Sequence, residues 1–271
     1  MKAFITAFAL CFVAVLGAPD LKNLPDLNVD NTLTDAAAAE AEDLTETLKA
    51  SLSQGNVDDR TRLVADLMSG YNKGVNPDDV AVQFGINLLD FTVRENSNAL
   101  DSYVWLKIVW QDDRLKWNGD EYGGVQVLRV DSTTLWKPDV TLYNSADPVN
   151  MVNCWDSNML VWSSGKVMFV PPCKMTSRCK FDLKRNPYGE QKCSLKFGSW
   201  TFDGNAMDLQ FYNKTQSIDL TELNDSTGFE VLSTVAERNV RTYSCCPDPY
   251  IDLTFNMTIR RLPGDELFNK F

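Results

Sequence analysis

Apolar and polar side chains alternate along much of this 271-residue chain. Val80, Val82, Phe84, Ile86 and Leu88 are interleaved with Ala81, Gln83, Gly85 and Asn87. That period of two predicts a half-buried strand. Val104, Leu106, Ile108 and Trp110 form a second apolar face, with Tyr103, Trp105, Lys107 and Val109 opposite. Trp105 therefore points away from the core side. It faces either a second buried layer or a partner. The same alternation predicts strands at 124–130, 159–161, 166–170, 207–211, 229–241 and 251–259. Asn118-Gly119, Ser164-Gly165 and Asp203-Gly204 punctuate them as turns. Only one segment has a firm helical period. Leu63, Val64, Leu67 and Met68 make one stripe over 58–69, and Gly70 ends it. About ten short strands behind one helix predict a single all-β sandwich.

The N-terminal segments change this picture. Residues 1–18 carry Lys2, an apolar stretch from Phe4 to Leu16 and the small pair Gly17-Ala18. This is the pattern of a secretory signal, so the expected location is extracellular. No later run approaches the roughly 18 apolar residues of a membrane helix. Residues 19–54 form an acidic extension, with Asp20, Asp26, Asp30, Asp35, Glu40, Glu42, Asp43 and Glu46 against Lys22 and Lys49. The domain proper is expected over 55–271. A net charge of −11 argues against nucleic acid and anionic membranes as partners. The chain has no histidine, which removes Ser-His-Asp and Cys-His catalysis and histidine-ligated zinc. No phosphate-binding or dinucleotide fingerprint is present. These exclusions predict a protein that is not an enzyme and holds no metal or cofactor.

Six of the seven cysteines lie beyond the signal, an even number suited to an oxidising compartment. Cys245 and Cys246 are adjacent, between Tyr243 and Tyr250. Pro247 and Pro249 oppose regular ladder pairing just beyond them. The segment reads as a hairpin tip carrying two rings and two sulfurs. Adjacent Cα atoms are about 3.8 Å apart, below the roughly 4.4 Å of ordinary disulfides. A bridge between them would be strained, and pairing elsewhere is the alternative. Asn213, Asn224 and Asn256 each begin a glycan acceptor pattern. Asn256 should face outward, between inward Phe255 and Met257.

Several separate stretches then point one way. Cys179 and Cys193 bracket thirteen residues. Trp136-Lys-Pro-Asp-Val-Thr-Leu-Tyr-Asn-Ser-Ala-Asp147 precedes them and Leu195-Lys-Phe-Gly-Ser-Trp-Thr-Phe202 follows. Together with Trp105-Leu-Lys-Ile-Val-Trp110 and Tyr243…Cys245-Cys246…Tyr250, these resemble the extracellular ligand-binding domain of nicotinic acetylcholine receptors, from about residue 56 to Arg261. The bracketed loop departs from the receptor pattern. It has Asn186-Pro187-Tyr188-Gly189 and the polar Lys180, Lys184, Arg185, Glu190 and Lys192. That polar loop, and a sequence that stops soon after Arg261, resemble the soluble acetylcholine-binding proteins of this family.

The resemblance implies a ten-stranded β-sandwich with an N-terminal α-helix. It implies a secreted homopentamer that binds acetylcholine or another cationic amine between subunits. Tyr143, Trp200, Tyr243, Cys245, Cys246 and Tyr250 would form the principal face. Trp105, Lys107, Leu160, Met168 and Val170 would form the complementary face of a neighbour. Lys107 would oppose a cation unless an acid offsets it, and Asp219, Glu222, Asp225 and Glu230 fall in the loop that the family folds over this side. Lys196, Tyr243 and Asp252 match a triad that couples the hairpin to ligand. Bridges Cys179–Cys193 and Cys245–Cys246 are implied as well. Cys154 and Cys173 remain, bracketing a hairpin at Ser163-Ser-Gly165, and a local staple is expected there. The rival expectations are a receptor subunit lacking its membrane part and a secreted sandwich that has lost amine binding.

Overall fold

The computed structural model describes residues 58–263, apart from 148, 150, 185–186, 225–227 and 245. The signal segment, the acidic extension and the Cys245–Cys246 bridge lie outside the described residues.

Helix α1 (Asp59–Ser69) opens the described chain and stops at Gly70. Leu63 is fully buried, while Val64, Leu67 and Met68 pack partly against the core. Twelve strands follow among the described residues, in two sheets. They are β1 (Val80–Arg94), β2 (Ala99–Lys116), β3 (Val127–Val130), β4 (Val140–Leu142), β5 (Asn153–Cys154), β6 (Met159–Trp162), β7 (Ser164–Phe169), β8 (Pro172–Arg178), β9 (Gln191–Ser199), β10 (Met207–Phe211), β11 (Phe229–Tyr243) and β12 (Cys246–Arg261). The larger sheet runs β10-β1-β2-β7-β6-β3, with β8 also on β2 and β5 beyond β8. The smaller runs β11-β12-β9-β4. Among the described residues, the pairings between these strands are antiparallel except that of β1 with β10. This is an all-β sandwich behind one helix. No helix among the described residues is long and apolar enough to cross a membrane.

The alternation that predicts β1 also builds the core. Val82, Phe84, Ile86 and Leu88 are all buried. Phe84 of β1 meets Phe197 of β9 with ring centroids 4.8 Å apart, and Phe255 of β12 meets Phe211 of β10 at 5.9 Å. These rings from both sheets close the layer between them, where buried aromatic area contributes most. Cys154–Cys173 and Cys179–Cys193 are bridged. The first clips β5 to β8 directly opposite.

At the far end of the β11–β12 hairpin the ladder skips. Arg241 pairs with Tyr250, and the next pair is Tyr243 with Cys246. Pro247 and Pro249 occupy the skipped stretch, consistent with their missing donors.

Candidate functional site

Four of the aromatic residues singled out from sequence line one recess of ≈ 270 Å³: Tyr143, Trp200, Tyr243 and Tyr250, with Ser199, Ile251 and Asp252. Tyr143 and Trp200 meet edge to face with centroids 6.4 Å apart. Tyr243 and Tyr250 do the same across the hairpin at 5.7 Å. Trp200 is 64% exposed and Tyr243 53%, so the rings wall the recess without closing it.

Local chemistry sets each ring. Trp200 sits in the turn after β9, and Asp139 ties that turn down. Its carboxylate accepts from Ser199 Oγ at 2.5 Å, from Thr201 N–H at 2.8 Å and from Thr201 Oγ1 at 2.6 Å. Phe202 N–H donates to Ser199 Oγ at 2.8 Å. Trp136 packs on Phe202 and on Trp110, which joins the turn to the core. Tyr143 follows β4, and its N–H donates to the Lys196 carbonyl at 2.8 Å. Its hydroxyl donates to the Ser199 carbonyl. A side chain at Gly198 would collide with the Tyr143 ring, so glycine is required there. Burial, then the nearby Asp139 and Asp252 charges, push the Tyr143 phenol up to about 12. The ring therefore stays neutral and keeps its negative face at any ordinary pH.

Asp252 is buried at the recess wall and is paired. Lys196 Nζ lies 3.0 Å from Asp252 Oδ2 and 5.9 Å from the centre of the Tyr143 ring. Asn239 and Thr254 both donate to Asp252 Oδ1 at 2.8 Å. Two members of the expected triad thus meet, and Tyr243 instead stands edge-on to Tyr250.

The second expected face lies elsewhere, on the outer side of the larger sheet. Trp105 and Lys107 share one phase of β2, which leads to Val109. Register carries that side across the sheet: Val109 faces Met168, Met168 faces Leu160, and Leu160 faces Arg129. Val170 follows β7 and is half-buried. None of these side chains lines the aromatic recess, so the structure does not unite the two sets within the chain.

Lys107 is compensated. Its Nζ lies 2.8 Å from Asp219 Oδ2 and over the Tyr212 ring at 5.7 Å. The hydrogen bond from Lys107, then those from Thr221, hold the Asp219 carboxyl down to about 2. Asp219 reaches this place because its backbone bonds to β1: its N–H donates to the Ile86 carbonyl and Leu88 N–H to its own carbonyl, each at 2.9 Å. Glu230, another acid considered from sequence, pairs with Arg260 at 2.6 Å instead. Glu222 is exposed, and Asp225 lies outside the described residues. Of the acceptor asparagines, Asn213 and Asn224 are exposed. Asn256 is half-buried on the outward phase of β12, where its Oδ1 accepts from Ser194 Oγ at 2.6 Å.

Sequence reasoning missed Asp139, Gly198 and Tyr212. Asp139 and Gly198 lie inside quoted motifs, yet their roles appear only once β4 and β9 are adjacent. It also missed Trp155, which is 71% exposed. Trp155 N–H donates to the Pro172 carbonyl at 3.0 Å, and Pro172 stands opposite Trp105.

Comparison with known proteins fits this geometry. Residues 60–263 match the family described as "Neurotransmitter-gated ion-channel ligand binding domain". The chain is 39% identical to acetylcholine receptor subunit alpha-like 2 of Drosophila melanogaster, over 75% of this chain and 38% of that protein. It is 38% identical to acetylcholine receptor subunit alpha-L1 of Schistocerca gregaria, over 75% and 39%. Neuronal acetylcholine receptor subunit alpha-2 of Gallus gallus is 36% identical over 74% and 39%. The chain thus spans about two-fifths of the length of these relatives.

Proposed function

The chain belongs to the neurotransmitter-gated ion-channel ligand-binding domain family, a family of binding modules and not of enzymes, and we propose that it binds acetylcholine or a related cationic amine between two copies of itself. The observation that carries this reading is the convergence of Tyr143, Trp200, Tyr243 and Tyr250 on one recess. A quaternary ammonium accepts and donates no strong hydrogen bond. The negative faces of aromatic rings hold it, at ~0.5–2 kcal/mol each. The Tyr143 phenol, held neutral by burial, suits that task.

The recess is open, and the Trp105, Leu160, Met168 and Val170 wall lies on the other sheet. One chain cannot close its own cage, but the wall of a second copy can. Contacts between unlike faces propagate, so they close as a ring or run on as a filament. A secreted homopentamer is the form we favour. The acetylcholine receptor subunits among its relatives support an assembled state. The signal-like N-terminus supports secretion.

Calorimetric titration with acetylcholine tests the reading. Trp200→Ala should lose roughly 2 kcal/mol, about thirtyfold in affinity. If that variant assembles normally and binds acetylcholine as tightly as the parent, the cage is not the site. Failure of the parent to bind any quaternary amine would favour a sandwich that has lost the activity.

A further inference from the structure

Strand β10 is an edge of the larger sheet, and the turn Tyr212–Lys214 that leaves it carries the acceptor pattern Asn213-Lys-Thr215. Asn213 and Lys214 both take left-handed backbone, at φ 49° and 60°. Asparagine tolerates that conformation better than most residues. Thr215 N–H closes the turn on the Tyr212 carbonyl at 3.0 Å. Asn213, Lys214 and Thr215 are all exposed. The Asn213 carboxamide and the Thr215 hydroxyl make no hydrogen bond among the described residues.

The other two acceptor patterns are placed differently. Asn256 lies mid-strand in β12, between β11 and β9. It is half-buried, and its Oδ1 already accepts from Ser194 Oγ. The pattern at Asn224 runs into residues outside the described ones. Beside Asn213 the fold also leaves a recess of ≈ 500 Å³, lined by Asn213 and Thr215 themselves and by Tyr212, Ser217, Lys107 and Asp219 among others. A recess lined by the acceptor has room for the first group attached to it. Its wall combines an aromatic ring, a hydroxyl and a paired lysine and aspartate, which suits the apolar face and the hydroxyls of a sugar.

We infer that Asn213 carries an N-linked glycan whose first sugar lies in this recess. The donor is an oligosaccharide on a polyprenyl pyrophosphate. The bond from Asn213 Nδ2 to the sugar C1 forms, the C1–O bond to pyrophosphate breaks, the lipid pyrophosphate departs and the amide gives up one proton. The inference rests on the secretory route proposed above, because the donor is met there, and not on amine binding. The glycan stands at the β10 edge, with β1 between it and the β2 strand of Trp105. A bulky hydrated group there also opposes pairing of that edge with another chain.

The test is mass spectrometry of the full chain made in secreting insect cells. The peptide containing Asn213 should carry the glycan, and enzymatic release should leave aspartate at that position. Thr215→Ala, which keeps Asn213, should lose the modification as fully as Asn213→Gln. Melting temperatures test the seat of the first sugar. Trimmed enzymatically to that sugar, the parent should melt as the intact protein does. The two variants, trimmed alike, should both melt lower by about 2 °C or more. A secreted chain with Asn213 unmodified would overturn the inference and leave secretion standing. A chain retained in the cytosol with residues 1–18 attached would overturn both. Equal melting of the trimmed parent and both variants would overturn the seat in the recess.

Discussion

At the scale of single residues, the Lys107–Asp219 pair is the most instructive. Lys107 alone suggests a cation at the rim of a cation site. Paired with Asp219 at 2.8 Å, it is close to neutral as seen from a ligand. The two substitutions should therefore act oppositely. Lys107→Gln leaves Asp219 uncompensated and should tighten a quaternary amine. Asp219→Asn leaves the ammonium uncompensated and should weaken it. Each effect should be a few-fold, on the order of 1 kcal/mol or less, because the pair is partly solvated. Titration of both variants with acetylcholine checks this, and two shifts of the same sign would contradict it. The pair also has a pH signature. Asp219 is held down to about 2, against about 4 for a free aspartate. Its folded-state value is depressed, so its contribution is complete above about pH 4 and is lost as pH falls through about 2. In thermal melts, the gap between parent and Asp219→Asn should be constant above that window and shrink within it. The resemblance offered Asp219 as one of four acids that could offset Lys107, and which of them does so appears only once its segment bonds to β1.

At the scale of elements, legibility followed the chemistry of the buried face. β1 and β12 were readable because their inward positions are uniformly apolar: Val82, Phe84, Ile86 and Leu88 in one, Leu253, Phe255, Met257 and Ile259 in the other. β8 was not, because it starts at Pro172 and buries Cys173, Met175 and the polar Ser177. β4 and β5 have three and two residues, too few for a period to register. The strand predicted from 124 begins instead at Val127, because Gly124 sits at φ 82° and ends a turn. The aromatic residues of the recess were legible through their motifs, but the device that aims Trp200 was not. That device is Asp139, which accepts three hydrogen bonds from Ser199 and Thr201. Asp139→Ala should free the turn, cost about 1–3 kcal/mol of stability and weaken acetylcholine beyond any effect on assembly. Equal affinity in a correctly assembled Asp139→Ala protein would show that the turn holds its shape without the carboxylate.

At the scale of the whole molecule, the aromatic recess and the Trp105 wall lie on different sheets, so the proposed amine binding requires the assembly. Light scattering should find a ring of five copies, and dilution that dissociates it should abolish acetylcholine binding in parallel. A monomer that binds acetylcholine at full affinity would sink the idea. The architecture also has a consequence in time. β1 is the first of the described strands, yet one edge of it is completed only by β10, where Val80 pairs with Met207 and Phe84 with Phe211. Closing so long a loop precedes the reward of that pairing, which places folding among the slow, high-contact-order cases. During synthesis the Val80–Phe84 edge waits unpaired while most of the domain is still being made. An open apolar strand is a template for another chain. Refolding yield should therefore fall with protein concentration, and the nascent domain should depend on whatever shields β1 until Phe211 has emerged.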